Sequence, residues 1–188
     1  MLKYLKDFKK FIAVAGFKDA RITDLDQFFE NVRKTLAPDV EFQLFDARLV
    51  ATFDHLFFAS LNALTAFKNR ENISKSLAME IMLYASGQRQ IRKAMKLIGI
   101  KSNTQEIAVL VIGEDAEKVN SAFTQIGNFA NAKRDDGVLD LTEDKIEVIQ
   151  RAFKISNEEI EAVMKNNDLK EAVKKLIIER VALLSTRR

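Results

Sequence analysis

Residues 105–113 read QEIAVLVIG, and this run is the clearest strand in the chain. After its first two residues every position is apolar until the closing Gly113, which is typical of a strand buried on both faces. A shorter apolar run at 11–16 (FIAVAG) also ends in glycine and predicts a second buried strand. Residues 40–45 (VEFQLF) alternate apolar and polar side chains and predict a half-buried strand, with 49–51 as a candidate continuation after a kink.

Helix-start signals surround these strands. Side chains that cap helix N-termini precede apolar residues at helical spacing, and they predict helix starts at Asp24, Asp54, Ser74 or Ser76, Asp115 and Thr142. The spacings Ser156 to Glu159 and Asp168 to Glu171 indicate reciprocal capping pairs. The pattern predicts an α+β protein, in which a small mixed or antiparallel sheet packs with helices as a two-layer sandwich and the last third is helical. We expect one domain over 1–188, with an α/β core at 1–140 and a helical segment at 141–188 packed on it.

Composition excludes several functional classes. The chain has 188 residues, 47% of them hydrophobic, with one proline and six glycines, which suits a folded domain without a flexible linker. It has no cysteine and one histidine, so disulfides, thiolate zinc sites and nitrogen-rich metal sites are excluded. No metal or cofactor is predicted. The apolar run at 11–15 is too short for a signal peptide and nothing is long enough to span a bilayer, so we expect a cytoplasmic protein.

The residue patterns of common active sites are also missing from the sequence. It contains no glycine-rich phosphate-binding motif and no GxSxG nucleophile motif. The single histidine, His55, is interpreted as a packed, hydrogen-bonded residue inside a buried helix. The acid pairs have structural explanations too, because Asp135 and Asp136 lie in a turn while Asp24 and Asp26 lie at a helix start. We therefore expect a protein that is not an enzyme.

Charge is concentrated in the middle of the chain. The net charge is only +3, which by itself does not indicate a nucleic-acid-binding protein. Residues 68–101 nevertheless hold eight basic residues against Glu71 and Glu80, a balance of +6, whereas residues 102–140 hold three basic residues against seven acids, a balance of −4. The basic segment is either an anion-facing surface or a solvated helix face rich in lysine.

The sharpest feature of this segment is the sequence ASGQRQI at 85–91. Gly87 is expected to end one helix, and residues 88–98 are expected to form the next, with Arg89 in its first turn. Amide and guanidinium donors then lie beside unpaired backbone N–H groups at a helix N-terminus. Basic residues follow at spacings of three and four. Instead of binding a ligand, these donors could serve only to brace the corner, either through its own amides or through Arg89 paired with Glu80 or another local acid. For Tyr84 there are also two alternatives, since it either stacks on a ligand or packs between the helices.

The same segment resembles a known family. The stretch SLAMEIMLYASGQRQIRKAMKLIGI at 76–100 is similar to the characteristic stretch of the kinase-binding subunit of the archaeal KEOPS (EKC) tRNA-modification complex. DARLVATFDHLFFASLNALTAF at 46–67, LTEDKIEVIQRAFKIS at 141–156 and IIERVALL at 177–184 resemble that family as well. The resemblance spans most of residues 11–184 and leaves out the lysine-rich first ten residues.

The resemblance implies a non-catalytic subunit that binds and stimulates a small atypical kinase–ATPase. It also implies that the subunit helps recruit tRNA by its single-stranded 3′ CCA end, for threonylcarbamoylation of the adenosine beside the anticodon. The resemblance does not identify the residues that contact the kinase; because a protein partner requires an exposed apolar patch, we favour the region 54–86, where core packing explains the apolar residues equally well. Phosphates of a single strand require cations, and unstacked bases require planar or amide groups. The expected tRNA-binding residues are Lys75, Gln88, Arg89, Gln90, Arg92, Lys93 and Lys96. The alternative function is a kinase-regulatory interaction module without nucleic-acid contact.

Overall fold

A computed structural model describes residues 1–186, and in it the chain divides into two compact units. The sheet unit consists of residues 1–47 and 100–138, and the helical unit consists of residues 48–99 with the chain from Leu139 onward. The single-domain division into 1–140 and 141–188 stays a prediction. No helix among the described residues is both long and apolar enough to cross a membrane.

Antiparallel pairing runs through the whole sheet. Its strands are β1 (Leu2–Leu5), β2 (Lys10–Lys18), β3 (Glu41–Asp46), β4 (Ile107–Gly113) and β5 (Lys133–Arg134). The order is β1-β2-β4-β3, and β5 pairs with the end of β2. All residues of β4 are buried, as the apolar run predicted. The α+β class is confirmed.

Two helices of the sheet unit pack against the sheet. These are α1 (Leu25–Thr35) and α5 (Ala116–Phe129). Alternate side chains of the central strands share one apolar core with the inner faces of these helices, because successive side chains of a strand point to opposite faces. Phe28 and Val32 of α1, and Val119, Phe123 and Ile126 of α5, belong to this core.

The helical unit contains the remaining six helices of the described chain. They are α2 (Phe53–Asn69), α3 (Leu77–Ser86), α4 (Ile91–Ile98), α6 (Glu143–Phe153), α7 (Asn157–Val163) and α8 (Leu169–Leu183). α3 contacts α2, α4 and α8, while α6 and α7 also pack on α8. Most of α3 is buried, including its Glu80 and Tyr84. α3 is therefore the central helix of this unit.

Most of the predicted helix starts are confirmed. The side chains of the N-cap residues Asp24, Ser76, Asp115, Thr142, Ser156 and Asp168 each accept a hydrogen bond from a backbone N–H of the following turn. Ser156 and Glu159 form the full reciprocal capping box. Asp168 accepts the N–H of Glu171, whose carboxylate instead pairs with Lys174.

Three boundary predictions were wrong. The N-cap of α2 is Thr52 and Asp54 lies in the first turn. Residues 47–49 form a short 3₁₀ turn, so 49–51 do not continue β3. α4 begins at Ile91, not at Gln88, because Gln88 still donates its N–H to Leu83 at the end of α3. Because this hydrogen bond belongs to the end of α3, α4 begins three residues later than predicted.

Candidate functional site

The corner between α3 and α4 is the structural setting of the expected site. Gly87 ends α3 with a φ of 61°, a left-handed conformation that glycine adopts without strain. Gln90 is the N-cap of α4, and its side chain makes no capping hydrogen bond. Arg89 therefore lies in the turn before α4, not in its first turn. Its cationic side chain still belongs to the N-terminal end of a helix, where the dipole favours anions.

The structure places six of the seven expected tRNA-binding residues in the α3–α4 turn or on α4, and the seventh, Lys75, before α3. Lys75 is exposed in the segment that connects α2 to α3. Gln88 is half-buried. The other five are exposed, either in the turn or on α4, namely Arg89, Gln90, Arg92, Lys93 and Lys96. The basic residues of α4, Arg92, Lys93 and Lys96, are named the basic stripe, and they thus form a solvent-accessible surface.

A small cavity of about 120 Å³ opens beside Arg89. Glu71, Ile73, Tyr84 and Arg89 line it together with Leu184 and Ser185, which follow α8. Only 5% of Tyr84 is exposed, so this side chain packs in the helical unit and contributes to the cavity wall. Burial, and next the charges of Glu80 and Glu71, raise the pKa of the Tyr84 hydroxyl, which Arg89 opposes. The cavity therefore combines an aromatic wall with charges of both signs.

Glu80 holds the segment that precedes α3. Its carboxylate is fully buried. Both oxygens accept the backbone N–H of Ile73, at 3.1 and 3.0 Å, and Oε2 also accepts the N–H of Ser74 at 2.6 Å. A buried carboxylate is tolerated when backbone donors surround it in this way. Glu80 thereby fixes the backbone next to Lys75 and one wall of the cavity.

Two exposed apolar residues of α4 were not predicted from the sequence. Ile91 is 42% exposed and Met95 is 51% exposed. They are four residues apart on a helix and therefore lie on the same face, close along the chain to the basic stripe. The signal was present in the sequence, because apolar residues at this spacing interrupt the basic positions. Together they give the corner an apolar surface as well as a basic one.

His55 is structural, as the sequence indicated. It is fully buried, its Nδ1 accepts the N–H of Ala51 at 3.2 Å, and its Nε2 lies 2.7 Å from the carbonyl oxygen of Ala85. A ring that accepts at Nδ1 and donates from Nε2 is the neutral tautomer. Burial lowers the pKa of His55 to about 4; the Ala85 hydrogen bond opposes this shift and the charge of Lys145 adds to it.

This pKa predicts a stability loss in mild acid. The unfolded chain protonates His55 near its ordinary pKa of 6.5, whereas the folded chain resists protonation until about 4. Stability is therefore complete above about pH 6.5 and falls as the pH drops toward 4, by roughly 3 kcal/mol in total. Urea unfolding at pH 7, 5.5 and 4.5 measures this loss, with His55→Gln as the non-titrating control. An equally steep loss in the variant would assign it to other groups.

Within the expected kinase-binding region, 54–86, the two helices differ in accessibility. α3 presents only the half-buried Leu77 and Met79 outside its buried residues. α2 presents more apolar surface, since Phe57, Phe58 and Leu61 are all half-buried. The rings of Phe57 and Phe58 contact each other edge to face, with centroids 5.6 Å apart. Of the two helices, α2 thus has the more accessible apolar surface, while Ile73, in the segment between them, is 38% exposed.

Comparison with known proteins gives the family. Residues 21–185 match the family described as kinase binding protein CGI-121. The regulatory protein Cgi121 of Methanocaldococcus jannaschii is 40% identical over 116 residues, which cover 62% of this chain and 72% of that protein. The KEOPS complex subunit Cgi121 of Pyrococcus abyssi is 26% identical over 74 residues, which cover 39% of this chain and 43% of that protein. The resemblance seen in the sequence is confirmed: the chain belongs to the kinase binding protein CGI-121 family.

Proposed function

We propose that this protein is a non-catalytic, cytoplasmic subunit of a KEOPS complex. In this proposal it binds and stimulates the small atypical kinase subunit. It also holds the 3′ CCA end of tRNA at the α3–α4 corner. The kinase partner is supported by the family, and the complex by the name of the Pyrococcus abyssi relative. The tRNA role rests on the corner itself. By holding the CCA end, the protein helps recruit tRNA to the complex for threonylcarbamoylation of the adenosine beside the anticodon.

One observation carries the tRNA proposal: exposed cations and exposed apolar side chains both occur on α4, the short helix that follows the corner. The exposed Lys93 and Lys96 supply cations for phosphates, whose contacts give most of the affinity for a single strand. Ile91 and Met95 give unstacked bases an apolar surface, and the amides of Gln88 and Gln90 suit base edges. A helix face that only keeps the protein soluble does not require the exposed apolar pair.

Salt dependence tests this role. The affinity of the full chain for tRNA is expected to fall steeply with salt, because each contacted phosphate releases a counterion. Replacing Lys93 and Lys96 by alanine should flatten the dependence of log K on log salt by about 0.7 for each contact to a single strand. Filter binding or fluorescence anisotropy at several salt concentrations measures both slopes. Absence of tRNA binding even at low salt would leave the alternative, a kinase-regulatory module without nucleic-acid contact.

We favour α2 for the kinase contact because it has more accessible apolar surface than α3, the other helix of 54–86. Protein interfaces have apolar centres with a polar rim. The half-buried Phe57, Phe58 and Leu61 supply such an apolar centre. Leu61→Glu is expected to weaken kinase binding by about tenfold or more, since it introduces an unpaired charge into that centre. Pull-down and calorimetry with the purified kinase subunit measure the loss. Ser121→Glu, which adds the same charge at an exposed position of α5, is the matched control; equal binding by both variants would move the kinase surface elsewhere.

A further inference from the structure

A second cavity, in the sheet unit, has no part in the proposed function. Its volume is about 280 Å³, and its walls come from the end of β2, from β5 and from α5. Two aromatic residues, Phe17 and Phe123, and the cationic Arg134 are among its lining residues. Gly127 of α5 lets the Phe17 ring approach, because a Cβ at that position would come within 2.8 Å of the ring. This size is close to the lower end of the range for small-molecule sites.

Arg134 is held as a fixed plane at this cavity. Its Nε donates to Oδ1 of Asp136 at 2.8 Å and its Nη2 donates to Oδ2 at 3.0 Å, a bidentate pair. Oδ1 of Asp136 also accepts the N–H of Gly16 at 2.9 Å, which ties the pair to β2. The guanidinium carbon lies 5.6 Å from the ring centroid of Phe17 and 5.1 Å from that of Phe123. The plane is thus braced by a carboxylate and by two rings.

The lining of this cavity also contains polar side chains. Asn120, Thr124 and Asn128 occur every four residues along α5, so they share one face, and all three are exposed. Each lines the cavity. Within residues 1–186, none of these three side chains makes a hydrogen bond inside the protein. Two amides and a hydroxyl therefore offer donors and acceptors to whatever occupies the space.

We infer that this cavity binds a planar nitrogen heterocycle of the nucleobase type. The ring stacks on the guanidinium plane of Arg134, and its polar edge bonds to Asn120, Thr124 and Asn128. A simple phosphate fits less well, because Asp136 already neutralises Arg134 and occupies two of its donors. Amides match a base edge, which presents donors and acceptors side by side, and arginine planes stack on bases.

Nuclear magnetic resonance on the ¹⁵N-labelled full chain tests this inference. Adenosine monophosphate at millimolar concentration is expected to shift the side-chain amide signals of Asn120 and Asn128, whereas ribose 5-phosphate, which lacks the base, leaves them in place. A short unstructured RNA distinguishes the source of the base. Tighter binding of the RNA than of the nucleotide assigns the cavity to an unpaired base of a strand, and the reverse assigns it to a free nucleotide. No shift with either ligand overturns the inference.

Two variants keep the test independent of folding. Arg134→Lys retains the charge but removes the plane, and it is expected to weaken binding of the nucleotide by about fivefold or more. The double variant Asn120→Ala and Asn128→Ala changes only exposed positions of α5 and should weaken binding without lowering the melting temperature. Wild-type affinity in both overturns the inference. The Arg89→Glu chain should bind the nucleotide normally at this cavity, so a failure of the α3–α4 corner as a tRNA site leaves this result unaffected.

Discussion

Arg89→Glu is expected to lower the affinity for CCA-ended tRNA by at least about tenfold, roughly 1.4 kcal/mol. The residue is exposed in the turn before α4 and lines the cavity beside Tyr84. A cation at the N-terminal end of a helix costs a few tenths to about 1 kcal/mol, which an anionic ligand offsets. Reversing the charge removes a phosphate contact and adds repulsion. Fluorescence anisotropy with labelled tRNA measures the loss.

A matched variant separates position from charge. Lys101→Glu makes the same change in net charge at an exposed residue outside the α3–α4 corner, and it is expected to weaken tRNA binding by less than about threefold, because it removes none of the proposed contacts and its exposed charge is screened by salt. The competing account has Arg89 brace the corner by pairing with a local acid. That account predicts earlier melting of the Arg89→Glu chain with loss of kinase and tRNA binding together, whereas we expect nearly unchanged stability and kinase binding.

Glu80→Ala is expected to destabilise the protein by about 2–4 kcal/mol. The carboxylate is fully buried and accepts the N–H groups of Ile73 and Ser74. Alanine leaves those donors without their acceptor, at about 1–3 kcal/mol for each one that stays dry. Chemical unfolding of both chains measures the difference.

Two further variants serve as controls for the effect of Glu80→Ala. Glu80→Gln keeps one acceptor oxygen and should lose less stability than alanine. Glu71→Ala removes an exposed carboxylate of the same segment and should change stability by no more than about 0.5 kcal/mol. If Glu80→Ala unfolded no more easily than Glu71→Ala, the buried carboxylate would not hold the segment before α3.

The strongest local signals were read correctly from the sequence, although three boundaries were not. The buried strand at 107–113 is a continuous apolar run, and capping pairs such as Ser156 with Glu159 act within one turn. Neither depends on distant parts of the chain. β1 was missed for the opposite reason. Its residues Leu2–Leu5 are mostly exposed and form a strand only because they pair with residues 10–13 of β2.

The features that decide the site were harder to predict, because they depend on burial and on long-range contacts. From the sequence alone, Glu80 cannot be distinguished from an acid on the surface of a helix. Only the fold buries its carboxylate against the backbone of Ile73 and Ser74. The corner cavity joins Glu71 to Ser185, and the sheet-unit cavity joins Phe17 to Arg134. Residues this far apart in the chain carry no shared periodicity. The basic stripe of α4, by contrast, was visible because it lies on one helix.

The central claim is that the α3–α4 corner holds the CCA end, and a double-mutant cycle tests it most directly. The four affinities are those of the wild-type and Arg89→Glu chains for tRNA with and without its CCA end, at one salt concentration. If both changes delete the same contact, their losses do not add. We predict that removing CCA weakens wild-type binding by at least about tenfold and that Arg89→Glu then has almost no further effect. Fully additive losses, or normal binding of CCA-ended tRNA by the variant, would contradict the account.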